Sequence, residues 1–279
     1  MVFKIYLDTM EIYFYSPVFF IFGLLVGSFL NVCIYRMPLG KSVVFPGSAC
    51  MRCGTFLKAK DLFPVLSHLF TGGICRYCGS VVSFRYSFVE LLTACLFVMA
   101  FITYGFTPYT IFLLIIISYM IIISFIDLDY LIIPDGMSIG LIVVGYMFNF
   151  LAYFFLSSEM KELLHYDLTL YDPILGMLAG GGILFLISFF SGGGMGGGDI
   201  KLMAGIGALF GLRFTLVVML FSFLIGALMG IILIITRIKK RKDYVPFGPY
   251  IAIATIIVAF IGSSYILELV KQNYWYVGF

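Results

Sequence analysis

Charged residues are scarce in this chain. Asp, Glu, Lys and Arg make up only 11% of its 279 residues, whereas a soluble domain carries about 25%. Hydrophobic residues account for 62% of the sequence. This balance excludes an ordinary soluble domain and predicts an integral membrane protein.

The hydrophobic segments also lack two patterns. None alternates between polar and apolar residues over about ten positions, so a transmembrane β-barrel is disfavoured. The first segment has no basic head and no small-residue cleavage site, and we expect it to remain as a span. The segments predict an all-α polytopic membrane protein with about eight helices that cross or enter the membrane. They lie at residues 16–36, 88–106, 109–126, 137–156, 173–191, 200–212, 214–236 and 247–267.

The basic residues predict the orientation of these helices. If the loop at 37–87 is cytoplasmic, 13 of the 17 Lys and Arg residues lie on the cytoplasmic side, as is usual for membrane proteins. The N-terminus is then outside, and Asp127 and Asp199 are cytoplasmic. The segment at 200–212 has only about 13 residues, fewer than the roughly 17 that a full span needs. We therefore expect either a turn at 211–213 or a re-entrant hairpin.

The loop at 37–87 carries two CxxC pairs separated by 21 residues. Two such pairs are typical of a tetrahedral zinc site, and four thiolates would leave no open position on the metal, so the zinc would be structural. An Fe–S cluster is an alternative, as are free thiols or local disulfides, although a reducing cytoplasm disfavours disulfides. The predicted ligands are Cys50, Cys53, Cys75 and Cys78.

Three parts are therefore expected. Residues 1–36 form an N-terminal segment and the first transmembrane helix. Residues 37–87 form a small cytoplasmic zinc-binding domain with four cysteine ligands, and residues 88–279 form a helical membrane domain that carries the aspartates.

Four aspartates are candidates for chemistry. An ionisable residue beside hydrocarbon is by default a functional candidate with a partner to be found. Asp127 lies nearest to the hydrocarbon and Asp199 follows a glycine-rich loop, so we predict that these two form a pair. Asp135 follows Pro134 and can act as a helix N-cap. Asp129 can be a solvated interfacial charge.

Glycines surround Asp199. Without Cβ atoms, Gly196 and Gly198 let the backbone approach an extended substrate closely, although glycines in membrane segments also serve helix packing. Lys201 either snorkels to the interface or biases the charge of the aspartate pair. The residues predicted to support the substrate or the loops are Gly196, Gly198, Lys201, Asp129, Pro134 and Asp135.

Five ordered motifs, together with the paired CxxC knuckles, resemble those of the bacterial type IV prepilin leader peptidases, a family of GxGD aspartic proteases. A GxGD loop alone also occurs in presenilin-like intramembrane proteases, but those lack the cysteine loop. Besides the paired CxxC knuckles, the motifs are GSFLNVCIYR at 27–36, RYSFVELLTA at 85–94, IDLD and IPD within 126–135, GGGDIK at 196–201, and PFGPY at 246–250.

The resemblance implies an aspartic protease whose catalytic pair matches Asp127 and Asp199. Its substrates would be type IV pilin or pseudopilin precursors, cut at the cytoplasmic face of the bacterial inner membrane. Many members are similar in also methylating the new N-terminus with S-adenosylmethionine, but no residues here can be assigned to that cofactor. Two adjacent carboxylates share one proton, so one can activate water while the other donates a proton.

Two other classes of function compete with this interpretation. A transporter could use the same carboxylates to bind ions or protons, although they cluster at one interface and no inverted repeat is visible. A non-enzymatic assembly subunit could use the zinc loop for docking. We expect the chain to lie in a lipid bilayer and to have no nucleic-acid partner.

Overall fold

A computed structural model describes residues 9–155, 170–240 and 243–262. Within these ranges the structure contains α-helices, two short 3-10 turns and two isolated β-bridges, which confirms the predicted all-α class. Each predicted apolar segment coincides with a helix apart from one or two residues at its ends, and residue 156 and residues 263–267 lie outside the described ranges. The α-helices are α1 Thr9–Arg36, α2 Leu66–Thr71, α3 Arg85–Tyr104, α4 Pro108–Tyr130, α5 Asp135–Phe155, α6 Asp172–Phe190, α7 Gly197–Ile235 and α8 Gly248–Ile261.

Five of these helices, α1, α3, α4, α6 and α7, are long and apolar enough to cross a membrane. Two more, α5 and α8, are apolar but offer shorter described stretches. In hydrocarbon the backbone must satisfy its own hydrogen bonds, which explains why continuous apolar segments become helices. The chain is therefore a multi-pass membrane protein.

The chain folds as two compact units, one within 4–126 and the other within 127–279. In the first unit, α1 and α3 pack antiparallel at closely spaced glycines. A Cβ on Gly27 would lie only 2.7 Å from the Cα of Glu90, and Asn31 donates a hydrogen bond to the Tyr86 carbonyl at 3.0 Å. Small residues let membrane helices approach each other in this way. The three-part division expected from the sequence stays a prediction.

In the second unit, α7 reverses direction at Gly211. That residue has φ 81 and ψ −177, a conformation that glycine adopts without strain. Gly180 of α6 lies against both Met203 and Thr215, because a Cβ there would be 2.5 Å from the first and 2.9 Å from the second. An uninterrupted helix would separate residues 203 and 215 by about 18 Å. Residues 197–210 and 212–235 are therefore the two limbs of a helical hairpin.

The first limb, 197–210, is about 21 Å long, less than the hydrocarbon thickness of about 30 Å. A helix of that length is too short for a full span, so the break at Gly211 agrees with the turn or re-entrant hairpin expected at 211–213. Its tip is held by Asn149 of α5, whose side-chain amide donates to the carbonyls of Ala208 and Leu209 at 3.0 and 2.9 Å. These carbonyls lie just before the break, where a helix otherwise leaves its last carbonyls unsatisfied.

Candidate functional site

Asp127 lies in the last turn of α4 and is only 5% exposed. The helix ends soon after it because Leu131 adopts a positive φ of 54 and donates its N–H to the Asp127 carbonyl at 3.0 Å. The side-chain Oδ2 of Asp127 accepts a hydrogen bond from the backbone N–H of Gly248 at 2.8 Å. Since Gly248 is the first residue of α8, the N-terminus of that helix holds one oxygen of the carboxyl group.

Asp199 is the third residue of α7 and is 9% exposed. Its carboxylate accepts a hydrogen bond from the backbone N–H of Gly196, the residue just before the helix. This is one half of a capping box, in which an acidic third residue satisfies the N–H of the N-cap. The local sequence therefore fixes the side chain back over the glycine loop.

The structure brings the two buried aspartates close enough to interact electrostatically. Both belong to the second unit, and each is tied to a backbone N–H at the start of a helix. Like charges held close together in a water-poor site favour a shared proton over two negative charges. Such a pair can deliver and accept protons around a water molecule, which is the chemistry of an aspartic protease. That these residues act as the catalytic pair stays a prediction.

The three glycines before Asp199 differ in their surroundings. A Cβ on Gly196 would lie 3.0 Å from Asp199 Oδ2 and 3.4 Å from the Tyr244 hydroxyl. A Cβ on Gly198 would lie 3.0 Å from the Cβ of Ile133, whereas one on Gly197 would meet nothing within 4 Å. Close packing therefore disfavours a larger residue at the first and third positions but not at the second, which matches the pattern GxGD.

The other residues predicted to support the site lie around this pair. Lys201 forms an ion pair with Asp135 at 2.7 Å, and both side chains are substantially exposed. The pair joins the start of α5 to the segment that follows Asp199. Pro134 accepts backbone hydrogen bonds from the first turn of α5, and Asp129 is exposed beyond Asp127. Their roles in catalysis stay predictions.

The four predicted cysteine ligands converge in the first unit, with their Sγ atoms all within 4.8 Å of one another. The two knuckles are built alike. Gly54 donates its N–H to Cys50 and Gly79 donates its N–H to Cys75, both at 2.9 Å, and both glycines have positive φ. Backbone N–H groups of Cys53 and Arg52 lower the pKa of Cys50 to about 6. This donor set fits a tetrahedral Zn²⁺ ion.

Sequence reasoning missed a support for the second knuckle. The Asp61 carboxylate accepts a hydrogen bond from the Tyr77 hydroxyl at 2.7 Å and pairs with Arg76 at 3.1 Å. Those partners are the two residues between Cys75 and Cys78. The Tyr77 hydrogen bond is also the main reason why the pKa of Asp61 lies below its ordinary value. The only sequence signal was an acidic residue in an otherwise basic loop.

Two residues near the aspartates were also missed as contributors to the site. Gly248 was noted only as part of the PFGPY motif, and Tyr244 was not noted. Tyr244 lies in the connection between α7 and α8, and Gly248, the first residue of α8, reaches Asp127 across 121 positions of sequence. The available sequence signal was a glycine at the start of a helix, but that signal does not predict which residue its N–H contacts.

Comparisons with known proteins agree with this arrangement. A family model described as the bacterial peptidase A24 N-terminal domain matches residues 21–104, and the type IV leader peptidase family model matches residues 114–231. The first match includes the cysteine loop and the second includes both buried aspartates. No solved structure matches the chain.

Curated relatives match over most of their length. A protein of Bacillus subtilis (strain 168) named prepilin leader peptidase/N-methyltransferase is 36% identical over 255 residues, which are 91% of this chain and 98% of the relative. Proteins with the same name from Aeromonas hydrophila and Legionella pneumophila are 34% and 32% identical. The Aeromonas alignment covers 90% of this chain and 92% of the relative. The Legionella alignment covers 93% of this chain and 93% of the relative. The chain therefore belongs to the type IV leader peptidase family.

Proposed function

We propose that this protein is a membrane aspartic endopeptidase that removes the leader peptide of type IV pilin or pseudopilin precursors. The observation that carries the proposal is the pair of buried carboxylates, Asp127 and Asp199, which interact within one unit. Membership of a peptidase family and the names of the relatives support it. Since that family is one of peptidases, no transporter is proposed.

The proposed reaction follows from two carboxyl groups that share a proton. The ionised carboxylate removes a proton from a bound water molecule, and the oxygen of that water attacks the scissile carbonyl carbon. The protonated carboxyl group donates to the developing oxyanion and the proton then reaches the leaving amine. With Oδ2 of Asp127 bound to the Gly248 N–H, Oδ1 is the oxygen assigned to the water.

The proposed cleavage occurs where a substrate helix leaves the bilayer. Asp127 lies in the last turn of α4 and Asp199 in the first turn of α7, so both are at helix ends and not in the middle of a span. An extended peptide beside Gly196 and Gly198 would meet backbone without obstruction from Cβ atoms. With the orientation predicted from basic residues, this face is cytoplasmic, in the inner membrane of a bacterium.

The name of the relatives includes an N-methyltransferase activity, and we extend that activity to this chain as a second proposed step. S-adenosylmethionine would supply the methyl group, and the amine exposed by cleavage would accept it. No residue of this chain is assigned to that cofactor. The four cysteines would hold a structural Zn²⁺ ion that orders the loop, with no position left for substrate.

The test uses the purified protein, reconstituted with a pilin precursor and S-adenosylmethionine, and measures the mass of the mature N-terminus. Asp127→Asn and Asp199→Asn should each abolish cleavage while the protein still inserts into membranes. Asp243→Asn is the matched control, because Asp243 is exposed and accepts a local hydrogen bond from the Lys240 N–H. Normal cleavage by either of the first two variants would refute the assignment, while the product mass separately tests methyl transfer.

A further inference from the structure

The short helix α2 exposes its apolar face more than its polar face, whereas a helix on the surface of a soluble domain does the reverse. Leu66, Leu69 and Phe70 lie on one face and are 50%, 67% and 81% exposed; we call them the α2 apolar face. The polar residues Ser67 and His68 are only partly exposed, and the His68 ring lies against Gly73 and Phe84. A helix in water turns its apolar face inward, so an apolar surrounding is indicated.

A hydrogen bond anchors the start of α2 to a membrane-spanning helix. The backbone N–H of Val65, just before α2, donates to Glu90 Oε2 at 2.8 Å. Glu90 is 7% exposed and also receives a hydrogen bond from Ser28 of α1. Val65 has a positive φ of 59, which is uncommon for a β-branched residue. The contact therefore holds the chain in a conformation that it would not readily adopt alone.

The position of Glu90 along α3 fixes the depth of this anchor. With 20 residues, α3 is about 30 Å long, which equals the thickness of the hydrocarbon core. Glu90 follows Arg85, the first residue of α3, by about 7.5 Å along the helix axis. Ser28 precedes Arg36, the last residue of α1, by about 12 Å. The anchor therefore lies inside the ends of both spans, about a quarter of the way along α3, at a level that lipid surrounds.

We propose that the α2 apolar face is inserted in the lipid bilayer, at the interface beside α1 and α3. The occupant of this face is lipid because neighbouring apolar side chains at the same level face outward too. Phe29 of α1 and Phe88 of α3 are 51% and 47% exposed. The exposed Lys58 and Lys60 precede α2 and complement anionic headgroups. This insertion holds the cysteine loop flat against the membrane surface.

The experiment measures the surroundings of α2 in the full chain, reconstituted in liposomes. Trp275 is the only tryptophan, so Trp275→Phe provides a silent background. In that background, Phe70→Trp places a fluorophore on the α2 apolar face. Val81→Trp is the matched control, since Val81 is an equally apolar residue of the same loop, 85% exposed, and lies near the second knuckle. Emission is recorded with brominated lipids and, separately, with acrylamide in the aqueous phase.

The tryptophan introduced by Phe70→Trp should be quenched severalfold more strongly by brominated lipid than the control, less by acrylamide, and should emit at shorter wavelength. Equal quenching of both variants by acrylamide would overturn the proposal, because the α2 apolar face would then be in water. Protection from both quenchers would also overturn it, because protein would then cover the face. Leu69→Trp repeats the measurement if Phe70→Trp does not fold, and peptidase turnover of each variant reports a native fold.

Discussion

Gly248→Ala tests whether the N-terminus of α8 positions Asp127. A Cβ at this residue would lie 2.8 Å from Asp127 Oδ2, 3.2 Å from its Cγ and 3.3 Å from its Cβ. Ordinary contacts of a Cβ begin at 3.4 Å, so either the carboxyl group or α8 must move by about 0.6 Å. The methyl group would push directly on the oxygen that accepts the Gly248 N–H.

The expected loss of activity follows from that displacement. A misplacement of about 1 Å costs roughly 100-fold in rate, and about 0.6 Å then costs about 15-fold, or about 1.6 kcal/mol. If the movement also breaks the hydrogen bond to the charged carboxylate, a further loss of about 1.5 kcal/mol brings the reduction to about 200-fold. The effect should appear in kcat, because the change lies at the reacting group.

The assay is single-turnover cleavage of a pilin precursor by the reconstituted variants. Alanine is the better helix former by about 1 kcal/mol, so the propensity of α8 should not fall, and thermal unfolding separates misfolding from misplacement. Gly197→Ala is the control, because a Cβ there meets nothing within 4 Å although it lies two residues from Asp199. If Gly248→Ala cleaves within twofold of the parent rate, α8 does not position the catalytic carboxylate.

Two further predictions concern the glycine loop and the metal. Gly196→Ala and Gly198→Ala should each lower kcat by about tenfold or more, because the new Cβ would press on Asp199 and on Ile133, respectively, at 3.0 Å. Gly197→Ala should remain active. Equal rates for the three variants would contradict this prediction. Elemental analysis of the purified protein should find one zinc ion per chain, and Cys50→Ser should lose it, because three thiolates no longer close the tetrahedral site. A full zinc content in that variant would refute the assignment of four cysteine ligands.

Features that depend on neighbouring residues could be predicted from the sequence. Continuous apolar segments indicated the helices because hydrocarbon leaves the backbone no other partner. The shortness of the segment at 200–212 indicated a break, and the structure has it at Gly211. The spacing of the CxxC pairs indicated the cysteine cluster, since each pair comes from one tight turn whose glycine has positive φ.

Features that depend on distant pairs could not be predicted. The Gly248 N–H and the Asp127 carboxylate are joined only by the fold, and no local periodicity marks such a contact. The same applies to Asp61 and Tyr77, which are 16 residues apart, and to the anchor between Val65 and Glu90. The prediction that Asp135 can act as a helix N-cap did not identify Lys201, its partner in an ion pair, for the same reason.

The hairpin of α7 explains how a glycine-rich segment can hold Asp199 firmly. The break requires glycine at position 211 for two reasons: its φ is 81, and a Cβ there would collide with the Asp172 carboxylate. A broken helix in hydrocarbon would leave carbonyls unsatisfied at a cost of several kcal/mol each. The Asn149 amide satisfies two of them, and Asp172 accepts the Leu212 N–H at 3.3 Å. Because the tip is fixed and the first limb is a rigid helix, the depth of the tip sets the depth of Asp199.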